Sequence, residues 1–182
     1  VVLVAPVCFG TAERLDLIRV FQRAGFLVQR VRNAPTATAL AYAEAGHFDV
    51  GEHTLIVVDL GGNALDLGLF SIADGVVETR HLRGAPGIGG DALDALLADW
   101  LADRFRTASG VDIAGDRAAM ARLRAAAALA RAELGAAGAA EVELPYLAAD
   151  AQGCFVNLRD RVTPDDFLSL TADLLSLYRA KI

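Results

Sequence analysis

Two short apolar runs, Thr54 to Leu60 and Leu65 to Ile72, are separated by a turn that keeps a carboxylate at its entrance: Asp59-Leu60-Gly61-Gly62-Asn63-Ala64. Runs of this length on either side of glycines read as two strands joined by a tight reversal. An aspartate at a strand end, followed by glycines with bare backbone N–H groups, suits a metal-bound phosphate, because the backbone approaches the oxygens closely. The plainer reading is a turn-forming Asp59 and an ordinary glycine hairpin at Gly61 and Gly62. Asp66, seven residues after Asp59, is either a second carboxylate of the same site or a polar residue on the exposed face of its strand.

Around this turn the chain alternates strand and helix signals. Val1 to Val4 is a continuous apolar run of the kind found in buried central strands, ended by Pro6. Thr11 is placed to cap a helix running to about Ala24, with Leu15, Ile18 and Phe21 on one face and Gly25 as its stop. Phe26 to Val31 reads as a returning strand, which makes an α/β unit. Pro35 starts a second, alanine-rich helix that ends near Gly46. Asp74-Gly75 predicts a hairpin into a strand from Val76 to Leu82, and Gly84 to Gly90 reads as a glycine-rich loop. Leu93, Leu96, Leu97, Trp100, Leu101 and Phe105 recur at helical spacing, with Trp100 and Phe105 read as core. A second long helix spans roughly Asp116 to Leu134. Strands at Glu141–Leu144 and Cys154–Leu158 flank a turn at residues 149–153. A last helix opens on Thr163-Pro164-Asp165-Asp166, with a cap, a proline at the first helical position and two acids at the positive end of the dipole.

Composition narrows the function. At 182 residues and 54% hydrophobic content, the chain is long enough for about one domain, or two small lobes, with a real core. A net charge of −6 argues against a nucleic-acid surface. Arg122, Arg124 and Arg131 share one helix and read as a solvated face. Cys8 and Cys154 lack metal-ligand spacing and suggest buried thiols in a reducing, cytoplasmic compartment. His47, His53 and His81 are too scattered for a zinc site. No stretch reaches the ~20 apolar residues that span a bilayer, so no membrane partner is expected. The chain opens without methionine directly on a strand, which we read as a piece of a longer protein.

The order of these segments resembles the nucleotide-binding domain of the seventy-kilodalton heat-shock chaperones, the DnaK family. The resemblance rests on Val4-Ala5-Pro6-Val7-Cys8-Phe9, Ala34-Pro35-Thr36-Ala37-Thr38-Ala39-Leu40-Ala41-Tyr42, Asp59-Leu60-Gly61-Gly62, Gly87-Ile88-Gly89-Gly90-Asp91, and Glu133-Leu134 with Glu143-Leu144-Pro145-Tyr146 and Ala149-Asp150. It implies an α/β chain of the actin-like ATPase (ribonuclease H-like) fold that binds ATP or ADP with magnesium between two lobes. Residues 1–46 would be the end of the first lobe and a crossing helix. Residues 47–90 would be the core sheet of the second lobe, 91–160 a helix-rich adenosine-side subdomain, and 161–182 a helix returning to the second lobe. The resemblance assigns Asp59 to the magnesium side, and Asp59 and Asp66 to catalysis. It assigns Gly61, Gly62 and Asn63 to phosphate contact, and Gly89, Gly90, Asp91 and Arg131 to the nucleoside. It also implies client polypeptides and co-chaperones as partners of the longer protein.

The departures from the family pattern bear on turnover. Ala34 stands where the family has a glutamate in the outer shell of the magnesium, and loss of such a partner typically costs roughly 10–100-fold in metal affinity or activity. Asn63-Ala64 replaces Gly-Thr. Asn63 is tolerable where a left-handed backbone is wanted, whereas Ala64 removes a hydroxyl near the γ-phosphate. Ala128 replaces an acid on the adenosine side, and Arg131 a lysine. The changes at Ala34 and Ala64 are expected to weaken hydrolysis more than nucleotide binding, and they leave open whether the chain is an active ATPase. Ala34, Asn63 and Ala64 also motivate an alternative, a divergent chaperone-like scaffold or regulator with weak or no nucleotide binding.

Overall fold

In the computed structural model, which describes residues 1–49 and 51–181, the chain divides into two units, Val1–Gly90 and Asp91–Lys181. The first begins with β1 (Val2–Ala5), α1 (Thr11–Arg23), β2 (Arg30–Asn33) and α2 (Ala34–Glu44). β1 and β2 pair in parallel, Val2 opposite Arg30 through Ala5 opposite Asn33. Leu3 and Ala5 are buried while Val2 and Val4 are exposed, so this strand is covered on one face only, not on both as its apolar run predicts.

Three further sequence expectations are corrected here. The strand predicted at Phe26–Val31 begins only at Arg30, because residues 24–26 complete the end of α1. Gly25 takes φ +88°, its N–H donates to Gln22 O, and Phe26 N–H donates to Phe21 O. This is a Schellman closure whose hydrophobic contact is Phe21 on Phe26. The cap of α1 is Gly10, not Thr11, which is already helical, and no residue of α1 is fully buried. Finally, Gly84–Pro86 is not loop but the end of a strand.

That strand is β5 (Val76–Pro86), which with β3 (His53–Leu60) and β4 (Ala64–Ala73) forms an antiparallel sheet ordered β3-β4-β5. The turn at Asp74-Gly75 is present, both residues at positive φ. One sheet face buries Val57 and Phe70 against Ala39 of α2. A methyl group at Gly68 would stand 2.8 Å from Cβ of Pro35, so Gly68 lets the start of α2 close onto β4. The other face of β3 leaves Ile56, Val58 and Leu60 exposed.

The second unit holds α3 (Gly90–Ser109) from Asp91 onward, α4 (Arg117–Ala137), the hairpin β6 (Ala140–Ala149) and β7 (Phe155–Val162), and α5 (Pro164–Lys181). Its core joins Leu97, Leu101 and Phe105 of α3 to Leu123 and Ala127 of α4 and to Val142, Leu158 and Val162 of the hairpin. Trp100 is half-buried at the core's edge, with the Arg104 guanidinium 4.7 Å over its ring. Asp116 caps α4 by accepting from Ala118 and Ala119 N–H, and Gly138 ends it at φ +75°. Alanines on the inner face of α4 keep side-chain entropy cost low while letting the backbone pack close. Cys8 and Cys154 are free thiols, and both are exposed rather than buried.

Candidate functional site

The β3–β4 register places Asp59 opposite Asp66 and Leu60 opposite Leu65, so the two carboxylates share one sheet face. Asp66 is 5% exposed, which excludes the reading of it as a residue on an exposed strand face. Its Oδ2 accepts the Val7 N–H at 2.9 Å, while its Oδ1 is buried without a hydrogen-bond partner among the described residues. Burial raises its pKa above the ordinary carboxylate value. The Val7 N–H pulls it back, the Asp59 charge adds to the rise, and Arg14 opposes it. A buried carboxylate oxygen without a donor is costly unless something else satisfies it.

The loop after β1 is tied down by Arg14 in the first turn of α1. Its guanidinium donates to Phe9 O at 2.8 Å, Pro6 O at 3.2 Å and Asn33 Oδ1 at 2.6 Å. Arg14, Gly84 and the Val7 N–H are absent from the sequence-derived site. Arg14 had one legible signal: a cation in the first turn opposes the helix dipole and therefore needs another anchor.

The turn itself is exposed at Gly61, Gly62 and Asn63. Its carbonyls are engaged: Gly90 N–H donates to Gly61 O at 2.9 Å, Gly87 N–H donates to Asn63 O at 2.7 Å, and Gly61 N–H closes the reversal on Ala64 O at 2.9 Å. The N–H groups of Gly62 and Asn63 donate to no protein acceptor among the described residues. The left-handed backbone that would favour asparagine at position 63 is not adopted. Gly61, Gly62 and Asn63 all avoid positive φ. What the fold demands is bareness at Gly89, where a methyl group would collide with the Gly62 carbonyl. At Gly61 an added methyl group would only touch Ala64 O at 3.5 Å, an ordinary contact.

In the second unit, Asp91 is exposed in the first turn of α3. Arg131 on α4 is not a freely solvated side chain: it makes a two-pronged pair with Asp94, Nε to Oδ1 at 2.5 Å and Nη2 to Oδ2 at 3.2 Å. That bond, with Asp91 nearby, holds the guanidinium pKa above its ordinary value. The buried Tyr178 hydroxyl lacks a partner among the described residues; burial raises its pKa. Arg122 is also engaged, donating to Pro145 O at 2.6 Å and Tyr146 O at 2.8 Å.

These features bear on the metal and the nucleotide. No group of three or more metal-ligating side chains occurs among the described residues. A pair such as Asp59 and Asp66 still fits magnesium, which is commonly held by one or two carboxylates plus substrate phosphates and waters. The unpartnered Asp66 Oδ1 and the undonated N–H groups of the turn fit the cation and the phosphate oxygens, respectively. Ala34 and Ala64 contribute only methyl groups. No helix among the described residues is long and apolar enough to cross a membrane.

Comparison with known proteins agrees with this geometry. The family model described as Hsp70 protein matches residues 1–181. The chain is 38% identical over 183 residues to each of the chaperone proteins DnaK of Thermotoga neapolitana, Thermotoga maritima and Thermosipho africanus. In each case the match covers 100% of this chain and 30% of the relative, so the chain spans about a third of the length of those curated relatives. The chain belongs to the Hsp70 family, has its actin-like ATPase fold, and forms part of its ATP-binding domain.

Proposed function

We propose that the protein to which this chain belongs binds Mg-ATP and Mg-ADP and uses the nucleotide state to control peptide binding, in a cytoplasmic setting with client polypeptides and co-chaperones as partners. The observation that carries this reading is the buried, half-satisfied carboxylate of Asp66 opposite Asp59, beside a glycine turn whose carbonyls are engaged while the N–H groups of Gly62 and Asn63 meet no acceptor among the described residues. Family membership favours it over a scaffold that has lost its ligand. We assign residues 1–46, 47–90, 91–160 and 161–182 to the lobe and subdomain roles that the family pattern implies.

In this reading Asp59 holds the magnesium side and Asp66 helps to fix the attacking water. Gly61, Gly62 and Asn63 offer backbone to the phosphates. Magnesium, when bound, neutralises the phosphate charge that develops on transfer. Gly90 supports the phosphate turn through its N–H bond to Gly61 O, Gly89 packs bare against the Gly62 carbonyl, and both border the nucleoside with Asp91. Arg131, held flat by Asp94, offers a planar cation to an adenine face. The methyl groups of Ala34 and Ala64 provide neither an outer-shell carboxylate nor a hydroxyl for the γ-phosphate, so binding outlasts turnover.

Calorimetric titration of the intact protein with Mg-ADP tests binding: absence of heat, and of any thermal protection, overturns the reading. Single-turnover hydrolysis tests the weakened site. Ala34→Glu combined with Ala64→Thr is expected to raise the rate roughly tenfold or more, the scale of an outer-shell partner. A brisk wild type that the pair leaves unchanged would show that the site is not impaired.

A further inference from the structure

Where α2 gives way to β3, the first unit holds a cavity of about 310 Å³ that contains none of the residues of the site described above. Phe48 and His53 line it with rings, Ala43 and Ile72 with apolar groups, and Asp49 and Asp74 with carboxylates. A cavity of this size is at the small end of those that hold ligands. No lysine or arginine among the described residues lines it, and neither aspartate enters an ion pair among them. The walls are held in place by their neighbours. The Phe48 ring lies edge-on to Tyr42 of α2, centroids 5.6 Å apart, and 5.2 Å from the His53 ring. The His53 Nε2–H donates to Asp49 O at 2.9 Å. Across the sheet His53 stands opposite Ile72, and the hairpin sets Asp74 at φ +50° beside Gly75 at +76°.

The second unit shows what a ring beside a carboxylate takes. There the Arg104 guanidinium lies 4.7 Å over the Trp100 ring and donates two-pronged to Asp160. The cavity has the ring of Phe48 and the carboxylates of Asp49 and Asp74 without the cation. Two negative charges around one small space favour a ligand with two positive charges, and they repel one that carries a carboxylate of its own. We infer that this cavity binds a small aliphatic dication, a guanidino-amine of the kind represented by agmatine. The planar guanidinium lies on the Phe48 face and donates in a fork to one aspartate. The ammonium at the other end of the chain donates to the second aspartate, and the methylenes between them cover Ala43 and Ile72.

The experiment titrates the intact protein, without nucleotide, with agmatine and three analogues. N-carbamoylputrescine replaces the guanidinium with a neutral urea, arginine adds a carboxylate, and N-acetylarginine amide keeps only the guanidinium, as an arginine within a polypeptide does. Agmatine is expected to bind saturably and more tightly than all three. Asp49→Asn and Asp74→Asn are each expected to weaken agmatine by about two- to fivefold, the scale of an exposed ion pair. Asparagine keeps the left-handed backbone at position 74 available, so that variant tests charge and not the turn. Phe48→Leu is expected to weaken binding by a similar factor through the lost ring face; should it fail to fold in a thermal melt, the two Asn variants decide. Asp16→Asn removes an exposed acid on α1 and is expected to leave affinity unchanged, which separates the cavity from the general pull of a chain with net charge −6 on any cation. Absence of saturable agmatine binding overturns the inference. So does N-carbamoylputrescine binding as tightly as agmatine, or an Asp16→Asn loss as large as that of Asp74→Asn. Equal affinity for N-acetylarginine amide overturns the two-charge ligand and points to an arginine side chain of a polypeptide in its place.

Discussion

Asp59 and Asp66 stand directly opposite one another in the antiparallel pairing of β3 and β4. Like charges in this position destabilise a sheet, and here one partner is buried as well. The arrangement costs stability in the free protein and is relieved by a proton or by a cation.

The sign of the pH dependence follows. The folded-state pKa of Asp66 is raised by burial and by Asp59. The native state therefore binds the proton more tightly than the unfolded chain does. The penalty is absent below the ordinary carboxylate pKa and fully present above the raised one. Asp66→Asn is expected to be more stable than wild type at neutral pH, the advantage shrinking as pH falls through the raised pKa. Urea denaturation at several pH values measures this, and a pH-independent difference would contradict it.

Gly61 and Gly89 separate ligand binding from folding. An added methyl group fits at Gly61 but collides with the Gly62 carbonyl at Gly89. Gly61→Ala is expected to change stability by less than about 1 kcal/mol, as surface substitutions generally do, while weakening Mg-ADP binding. Gly89→Ala is expected to lower stability by about 1–3 kcal/mol, the range for overpacking. Thermal melts paired with calorimetry distinguish the two, and equal melting temperatures for both variants would rule out the tight seat at Gly89.

The Arg131–Asp94 pair is two-pronged and partly buried, with side chains 35% and 15% exposed. Arg131→Lys keeps the charge but loses the fork. We expect a loss of about 1 kcal/mol in stability, at the upper end for partly exposed pairs, together with weaker binding of the nucleoside end of ADP. The matching readout is the ratio of ADP to pyrophosphate affinity, which stays constant if Arg131 has no part in the nucleoside contact.

At the start of α5, Asp166 accepts from the N–H and hydroxyl of Thr163, and Thr163 Oγ1 accepts from Asp166 N–H. This reciprocal cap holds the Asp166 carboxyl below its ordinary pKa. Its contribution is present above the ordinary carboxylate pKa and is lost as pH falls through the lowered one. Thr163→Ala is expected to cost about 1 kcal/mol near neutral pH, with the difference from wild type narrowing in acid. A deficit in melting temperature that stayed constant into acid would show that the carboxylate is not part of the cap.

Much of this organisation was legible from local chemistry. The Asp74-Gly75 turn, the Thr163 cap and the β3–β4 reversal each rest on residues adjacent in sequence. The misreadings share a cause: they depended on what lies across the fold. Thr11 looked like a cap because its type suits one, yet Gly10 before it makes the turn. Gly84 looked like loop because glycine interrupts strands, yet pairing with Asp66 extends the ladder through it. Arg14 and Val7 reach the carboxylate site from segments about 50 to 60 residues away. No sequence period records that approach.

The bonds from Gly87 and Gly90 to the carbonyls of Asn63 and Gly61 mean that the phosphate turn does not wait for a guest to take shape. Its peptide planes are oriented during folding, so little further ordering is left for the moment of association. Affinity at such a reversal then depends mainly on what its N–H groups meet, and release leaves behind a receptor still set for the next occupant.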